Sequence, residues 1–421
     1  MKRNYYIVSL ILLTFFVISF LTNVIGPLIP DMINGFHLSL TLVALLPFAF
    51  FIAYGVMSIP SGMLIEKYKE KKIMIAGFVI AFFGSLLLAA VPNYLTAVIS
   101  LFLIGCGMAM LQVVINPLLR TSGGEEHYAF NSVLAQLIFG LASFISPLVY
   151  SYLVQNLKSN TGHGIFSSFS SMVPASLPWI SLYWVFAVIC LLMILVILFS
   201  KFPKVELSKE EEVGALQTHI MLFKNPVVVL FFIAMFCYVG TEQGVANWIS
   251  QFLSTYHGYD PQTTGAQAVA YFWGLMTAGG VVGLLLLKIM DSRKVLIIFT
   301  VLALVCLSLA LFSSAHISLV SFTLVGFFAS VMYPIIFSLA LNSVKEHHGS
   351  FSGILVTGII GGAVIPLIIG WLGDHLGLRT GMFFLYITLG YILSIGFWAK
   401  PIITNKTVSL FRKKIRNKML Q

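Results

Sequence analysis

Charge is scarce in this chain of 421 residues: Asp, Glu, Lys and Arg make up only 9% of it, against 59% hydrophobic residues. A soluble domain carries about 25% charged residues, so no water-soluble fold can hide this much apolar surface. Cysteine is scarce too. Cys106, Cys190, Cys237 and Cys306 all lie in apolar runs without CxxC or Cys/His spacing, which excludes a disulfide framework or zinc site and leaves packing roles. A GxxxxGK[ST] phosphate loop, an HExxH pair and a nucleophile beside a base are all missing, so neither an ATP-driven pump nor an enzyme is expected. No metal and no cofactor are expected either. His347 and His348 adjoin Glu346 in a connecting loop and read as solvated side chains. Strand-like alternation is also missing: runs such as Val185 to Phe199 are apolar throughout, which excludes a β-barrel and leaves helices as the spanning element. The first apolar run, Ile7 to Ile29, lacks an A-x-A cleavage site and is too long for a signal peptide, so it reads as the first helix.

What the chain does have is a succession of apolar stretches of about 20 residues, the length that crosses the hydrocarbon core. Spans are expected near 5–30, 41–65, 73–91, 95–118, 128–153, 179–200, 226–254, 266–288, 294–313, 316–342, 350–372 and 379–400. With the N-terminus cytoplasmic, every Lys and Arg except Lys158 and Arg379 falls on the cytoplasmic side. The positive-inside rule then places both termini in the cytoplasm and the protein, multi-pass, in the cell inner (cytoplasmic) membrane. The formal charge of +10 reads as topology and attraction to membrane lipid. Nucleic acid is not an expected partner, because the basic residues sit at helix ends with no globular domain behind them. A monomer is expected.

The longest interior polar stretch, Lys201 to Lys224, carries Glu206, Glu210, Glu211 and Glu212 and separates six spans from six. The expected organisation is an N-terminal six-helix bundle over 1–200, a cytoplasmic central loop over 201–225, a C-terminal six-helix bundle over 226–400 and a basic cytoplasmic tail over 401–421. A second polar stretch, Gln155 to Pro178, is Ser/Gly/Pro-rich and reads as an outer loop. The halves look related: the loop after the second span reads Gly62, Glu66, Lys67, Lys71, Lys72, and that after the eighth reads Gly283, Lys288, Asp291, Arg293, Lys294. The fold class is therefore an all-α membrane protein, twelve transmembrane helices in two six-helix bundles, the plan of the major facilitator fold, with a solute site between the halves near the bilayer midplane.

Gly62, Glu66, Lys67, Lys71 and Lys72 present an acid beside a basic cluster at a cytoplasmic helix end, with Lys69 where the major facilitator loop motif usually has Gly. They read as a gating loop, a charge latch between bundles. A charge deep in a bilayer is expensive and by default marks function. One acid qualifies: Glu242, mid-way along the seventh span in Tyr238-Val-Gly-Thr-Glu242-Gln243. It is the candidate cation-coupling residue. Asp31 and Asp374 lie at outer helix ends and read as solvated or loop-latching acids. In-span amides and aromatics include Asn23, Tyr54, Asn131, Gln251, Trp273 and Tyr333. From this wider group Gln112, Asn116, Gln136, Asn247, Trp248, Tyr271 and Asn342 are the candidate solute ligands. Amides hydrogen-bond hydroxyls in both directions and aromatic faces suit a pyranose, which favours a neutral, hydroxyl-rich solute. The same side chains also serve as interhelical glue.

Several stretches resemble the fucose/galactose/glucose symporter family of the major facilitator superfamily. They are Asn116-Pro117, Asn131 with Gly140, Cys237-Tyr238-Val239-Gly240, Tyr333 to Leu339, and Gly358 to Gly362 with Pro366. The resemblance covers almost the whole chain and implies uptake of a monosaccharide in symport with H⁺, or in some relatives Na⁺. Fucose-transporting members carry a proton-linked Asp in the first helix and a Glu in the fourth; the corresponding positions here are Gly26 and Gln112. A Gly-Arg pair of the eighth helix is replaced by Gly279-Gly280, and the fifth-helix glutamine is displaced to Gln136. Coupling through those two carboxylates is thereby excluded, which leaves Glu242. Within the same fold, a drug/H⁺ antiporter or a sugar uniporter is the alternative.

Overall fold

Apolar runs punctuated by Asn, Ser, Asp and Pro dictate long helices with capped ends, and twelve helices among the described residues are long and apolar enough to cross a bilayer. The computed structural model describes residues 4–124, 128–158, 172–202, 216–344 and 348–402. The spans are α1 (Tyr5–Phe36), α2 (Leu40–Tyr68), α3 (Glu70–Ala90), α4 (Tyr94–Gly123), α5 (Tyr128–Lys158), α6 (Pro178–Phe199), α7 (Pro226–His257), α8 (Pro261–Ile289), α9 (Ser292–Phe312), α10 (Ala315–Leu341), α11 (Ser350–Leu376) and α12 (Leu378–Trp398). A short helix, Leu216–Phe223, precedes α7 inside the stretch expected to be the central loop.

Short polar residues set the starts. Asn4, Ser39, Asn93, Asn225, Asp260 and Asp291 each accept a backbone N–H of the helix they precede. Asn93 and Thr96 complete a reciprocal capping box, and Pro226 follows Asn225 at the first helical position, where a missing N–H is harmless. Several helices outrun the expected spans, α1 to Phe36, α2 to Tyr68 and α4 to Gly123, because the polar end of a helix continues past the hydrocarbon. Gln155, expected to open the outer loop, is still in α5, its Nε2 donating to Ser151 Oγ at 2.7 Å.

Prolines explain the breaks in α1 and α10, whereas α11 carries a 3₁₀ turn over Gly358–Ile360 and α12 parts between Gly381 and Phe384 without one. A proline cannot donate to the carbonyl four residues earlier and its ring crowds it. In α1 the helix parts after Thr22 and resumes at Ile25, and the carbonyl four residues before Pro27 is that of Asn23. In α10 it parts after Ala329 and resumes at Met332, and the carbonyl four before Pro334 is that of Ser330.

The first six helices pack among themselves, α3 on α4 and α6, α2 on α4, α1 on α4 and α5. The last six do likewise, α8 on α10, α9 on α10 and α12, α7 on α11 and α12. The main contacts between the halves are α2 with α11, α5 with α8, and α1 with α7, and α1 also touches α8. Glycine allows the close approach in all three main contacts, and a Cβ on Gly370 would lie 2.6 Å from the carbonyl oxygen of Leu40. A Cβ on Gly26 would lie 2.2 Å from the carbonyl oxygen of Ala246, and one on Gly140 would lie 1.9 Å from Thr277 Oγ1. One end of the bundle carries Ser39, Gly258 and Asp374, and the opposite end carries Lys69, Met290 and Asn342.

Candidate transport site

Near the middle of α7, Glu242 is half-buried and its carboxylate accepts two hydrogen bonds. Tyr238, one turn earlier on the same helix face, donates its hydroxyl to Oε2 at 2.5 Å, and Gln243 donates Nε2 to Oε1 at 3.1 Å. Burial penalises the ionised carboxyl, while two donors aimed at its oxygens favour it. Among the described residues no ion pair neutralises Glu242. A carboxyl balanced this way can exist charged or neutral without rebuilding its surroundings.

Neighbouring helices complete the surroundings. Tyr333 of α10, freed where Pro334 breaks that helix, packs its ring 5.7 Å from that of Tyr238 and stacks on Phe337 at 5.8 Å with an interplanar angle of 18°. Tyr333 and Phe337 are both half-exposed, one turn apart on one face. From α11, the Cα of Gly362 lies so close that a Cβ there would stand 3.1 Å from Gln243 Cγ and 3.3 Å from Phe51 Cδ1 of α2. Phe51 in turn stacks on Tyr54 at 6.2 Å. Gln243, which donates to the carboxyl, thus sits where α7 and α11 meet α2 of the other half.

The residues expected from the sequence to bind solute distribute unevenly about this point. Asn247 lies roughly 8 Å further along α7. It is buried against Gly26 of α1, and its Nδ2 has no protein partner. Gln112 is half-buried on α4, and Gln136 is exposed on α5 beside exposed Val133 and Leu137. Tyr271 is half-exposed at the α5–α8 seam, its ring 6.3 Å from that of Phe144. Two of the seven have hydrogen-bond partners within the protein. Trp248 is fully buried and donates Nε1 to the carbonyl of Pro366 at 3.2 Å, which ties α7 to α11. Asn342 closes the C-terminus of α10, donating to Ser338 Oγ at 3.3 Å and accepting from Ile402 N at 2.7 Å, roughly 14 Å along the axis from Tyr333. The side chains of Asn116 and Glu66 lie outside the described residues. Tyr238, Gln243 and Phe51 carry no signal of their own in the sequence, although Tyr238 four residues before an in-span acid is a spacing that can be searched for.

In the expected gating loop, Lys71 Nζ donates to the carbonyls of Leu198 and Ser200, both at 2.8 Å, closing the C-terminus of α6 within the same half. Lys67 lies over the Tyr68 ring at 5.2 Å, Lys72 is exposed and Gly62 is buried. Asn23 joins α1 to α5 by donating to Ser143 Oγ at 2.8 Å, a case of amide as glue. Asp31, expected to be a solvated or loop-latching acid, is buried and accepts from Tyr150 Oη and Gln262 Nε2, each at 2.7 Å.

Comparison with known proteins gives a consistent picture. The family profile described as Major Facilitator Superfamily matches residues 11–359. A glucose/galactose transporter of Brucella abortus is 30% identical over 401 residues, covering 94% of each chain. An L-fucose-proton symporter of Escherichia coli is 27% identical over 398 residues, covering 89% of each. Among solved structures, a bacterial homolog of the human lysosomal transporter Spinster, inward-facing and unoccupied, superposes with a TM-score of 0.78 at 14% identity, covering 95% of this chain and 98% of that one.

Proposed function

The chain belongs to the major facilitator superfamily, and we propose that it is a secondary active transporter that takes up a monosaccharide by cation symport through alternating access. The observation that carries the coupling half of this reading is Glu242, a lone mid-span carboxyl held by Tyr238 and Gln243 where helices of both halves meet. The names of the similar proteins, a glucose/galactose transporter and an L-fucose-proton symporter, support a hexose as the solute class.

The cation is H⁺ in this reading. The two protein groups on the Glu242 oxygens are a hydroxyl and an amide N–H, both donors, whereas Na⁺ is a hard ion that requires a cage of oxygen ligands. Sugar is held next to that carboxyl, with Asn247 and Gln112 offering amides and the Tyr333–Phe337 pair offering a ring face. Protonation removes the charge from the midplane, so the loaded carrier reorients more cheaply than the empty, charged one.

The Lys69 end faces the cytoplasm in this scheme and both termini lie there, by the distribution of Lys and Arg, in an inner membrane. The bundles over 1–200 and 226–400 rock against each other as a monomer around the site. Uptake of labelled glucose, galactose, fucose and a non-sugar drug into proteoliposomes, under a pH gradient and separately under a Na⁺ gradient, tests the assignment. Uphill hexose uptake driven by the pH gradient supports it; drug movement without hexose movement overturns it.

A further inference from the structure

We propose that Asp374 is the latch that holds the two halves shut at its end of the molecule, and that the α11–α12 connection bearing it is a structural repeat of the α2–α3 connection at the opposite end. Alternating access is assumed here; the identity of the solute is not.

Asp374 sits in the last turn of α11, where the negative end of its own helix disfavours a carboxylate. Its position is explained by the other half of the molecule. Oδ1 accepts from Leu40 N at 2.8 Å, and Oδ2 accepts from Thr41 N at 2.8 Å and Thr41 Oγ1 at 2.5 Å. These are the first backbone N–H groups of α2, which have no partner inside their own helix, and the positive end of that helix faces the carboxylate. Ser39 Oγ takes the next one, Leu42 N, at 3.3 Å. A second acid at the same end, Asp31, takes Gln262 of α8 across the halves.

The connection after α11 reads Gly370-x-x-x-Asp374-His-x-Gly377-x-Arg379, and the one after α2 reads Gly62-x-x-x-Glu66-Lys-x-Lys69-x-Lys71. Glycine, acid, turn residue and base fall at the same intervals. The backbone repeats as well. Gly377 has φ 84° and ψ 147°, Lys69 has φ 71° and ψ 162°, and each ends one helix and starts the next. Each donates its N–H to the carbonyl four residues back at 2.9 Å. That region of backbone space belongs almost entirely to glycine, so a lysine holding it marks a conformation the connection requires. By this register the role that Asp374 fills at its end falls to Glu66 at the other, in the alternate state. The two acids then close opposite ends in turn.

The test places a reporter cysteine at Ala44, a fully buried α2 residue whose Cβ would stand 3.0 Å from a Cβ on Gly370 of α11. With the four native cysteines replaced by Ala, labelling of Ala44→Cys by a hydrophilic maleimide is timed on purified protein in nanodiscs, where both ends are reachable. Asp374→Ala raises the labelling rate about tenfold, the scale of losing hydrogen bonds to a charged acceptor. Glu66→Gln lowers it, and the double variant returns toward the parent. An unchanged rate in Asp374→Ala overturns the latch. So does a raised rate that Glu66→Gln does not bring back, which marks a loosened fold. If Glu66→Gln alone slows labelling while Asp374→Ala does nothing, alternation stands and Asp374 is not its latch; if neither variant moves the rate, alternation between two latched states fails with it.

Discussion

Adding one methyl group at Gly26 should disturb transport more than almost any other conservative change. At this position α1 and α7 close on each other. The three atoms nearest a Cβ at Gly26 are all backbone: Ala246 O at 2.2 Å, Ala246 C at 3.1 Å and Asn247 Cα at 3.3 Å. No side chain can swing aside, so α1 and α7 must separate by about 1 Å. Overpacking of this kind costs about 1–3 kcal/mol. Because the crossing joins the two halves, the cost falls on the state in which α1 and α7 touch, and 2 kcal/mol shifts the balance between two states by about 30-fold. Gly280 is the control, since a Cβ there meets nothing within 4 Å and Ala favours the helix. Sugar exchange in proteoliposomes and thermal unfolding in detergent should be compared for Gly26→Ala and Gly280→Ala. The expected result is at least a tenfold slower exchange and a lower unfolding temperature for the first, and parental behaviour for the second. If the two variants behave alike in both assays, the closed α1–α7 crossing is not part of the transport cycle.

Three further outcomes follow from single contacts. Lys69→Gly should raise stability by about 1 kcal/mol, because glycine holds φ 71° without strain; unchanged thermal unfolding refutes the strain. Trp248→Phe removes the bond to Pro366 O and should lower the unfolding temperature while leaving sugar affinity within about threefold; a tenfold loss of affinity in a binding titration returns Trp248 to the site. Lys71→Met frees the carbonyls of Leu198 and Ser200 at a half-exposed position, so thermal unfolding should register less than about 1 kcal/mol, and a larger change means that Lys71 acts on more than α6.

The twelve spans were legible because a 20-residue apolar run has one solution in a bilayer, whereas the breaks in α1 and α10 were not, since Pro47 and Pro147 lie inside unbroken helices. Glu242 was legible for a related reason: an acid in such a run stands out. Its partners were legible only in part. Tyr238 is fixed by the helix period, but Tyr333 and Phe51 arrive from α10 and α2, and no periodicity within one helix reports what another brings. The candidate solute ligands were ambiguous for the same reason. Asn342 matches Asn247 in type, and Trp248 carries a polar tip beside it, yet a polar group in a span looks identical in sequence whether it faces a cavity, a neighbouring helix or a helix end. Asp31 shows the converse, an acid at a helix end that is buried because α5 and α8 close over it.

Glu242→Gln tests the central claim most directly. Glutamine keeps the shape and the hydrogen bond from Tyr238 but cannot lose or gain a charge. Sugar counterflow and pH-driven accumulation should be measured on one reconstituted preparation of parent and variant. Counterflow retained with uphill accumulation abolished is the result expected of a coupling carboxyl; accumulation at the parental level would contradict the account and leave Glu242 a structural residue.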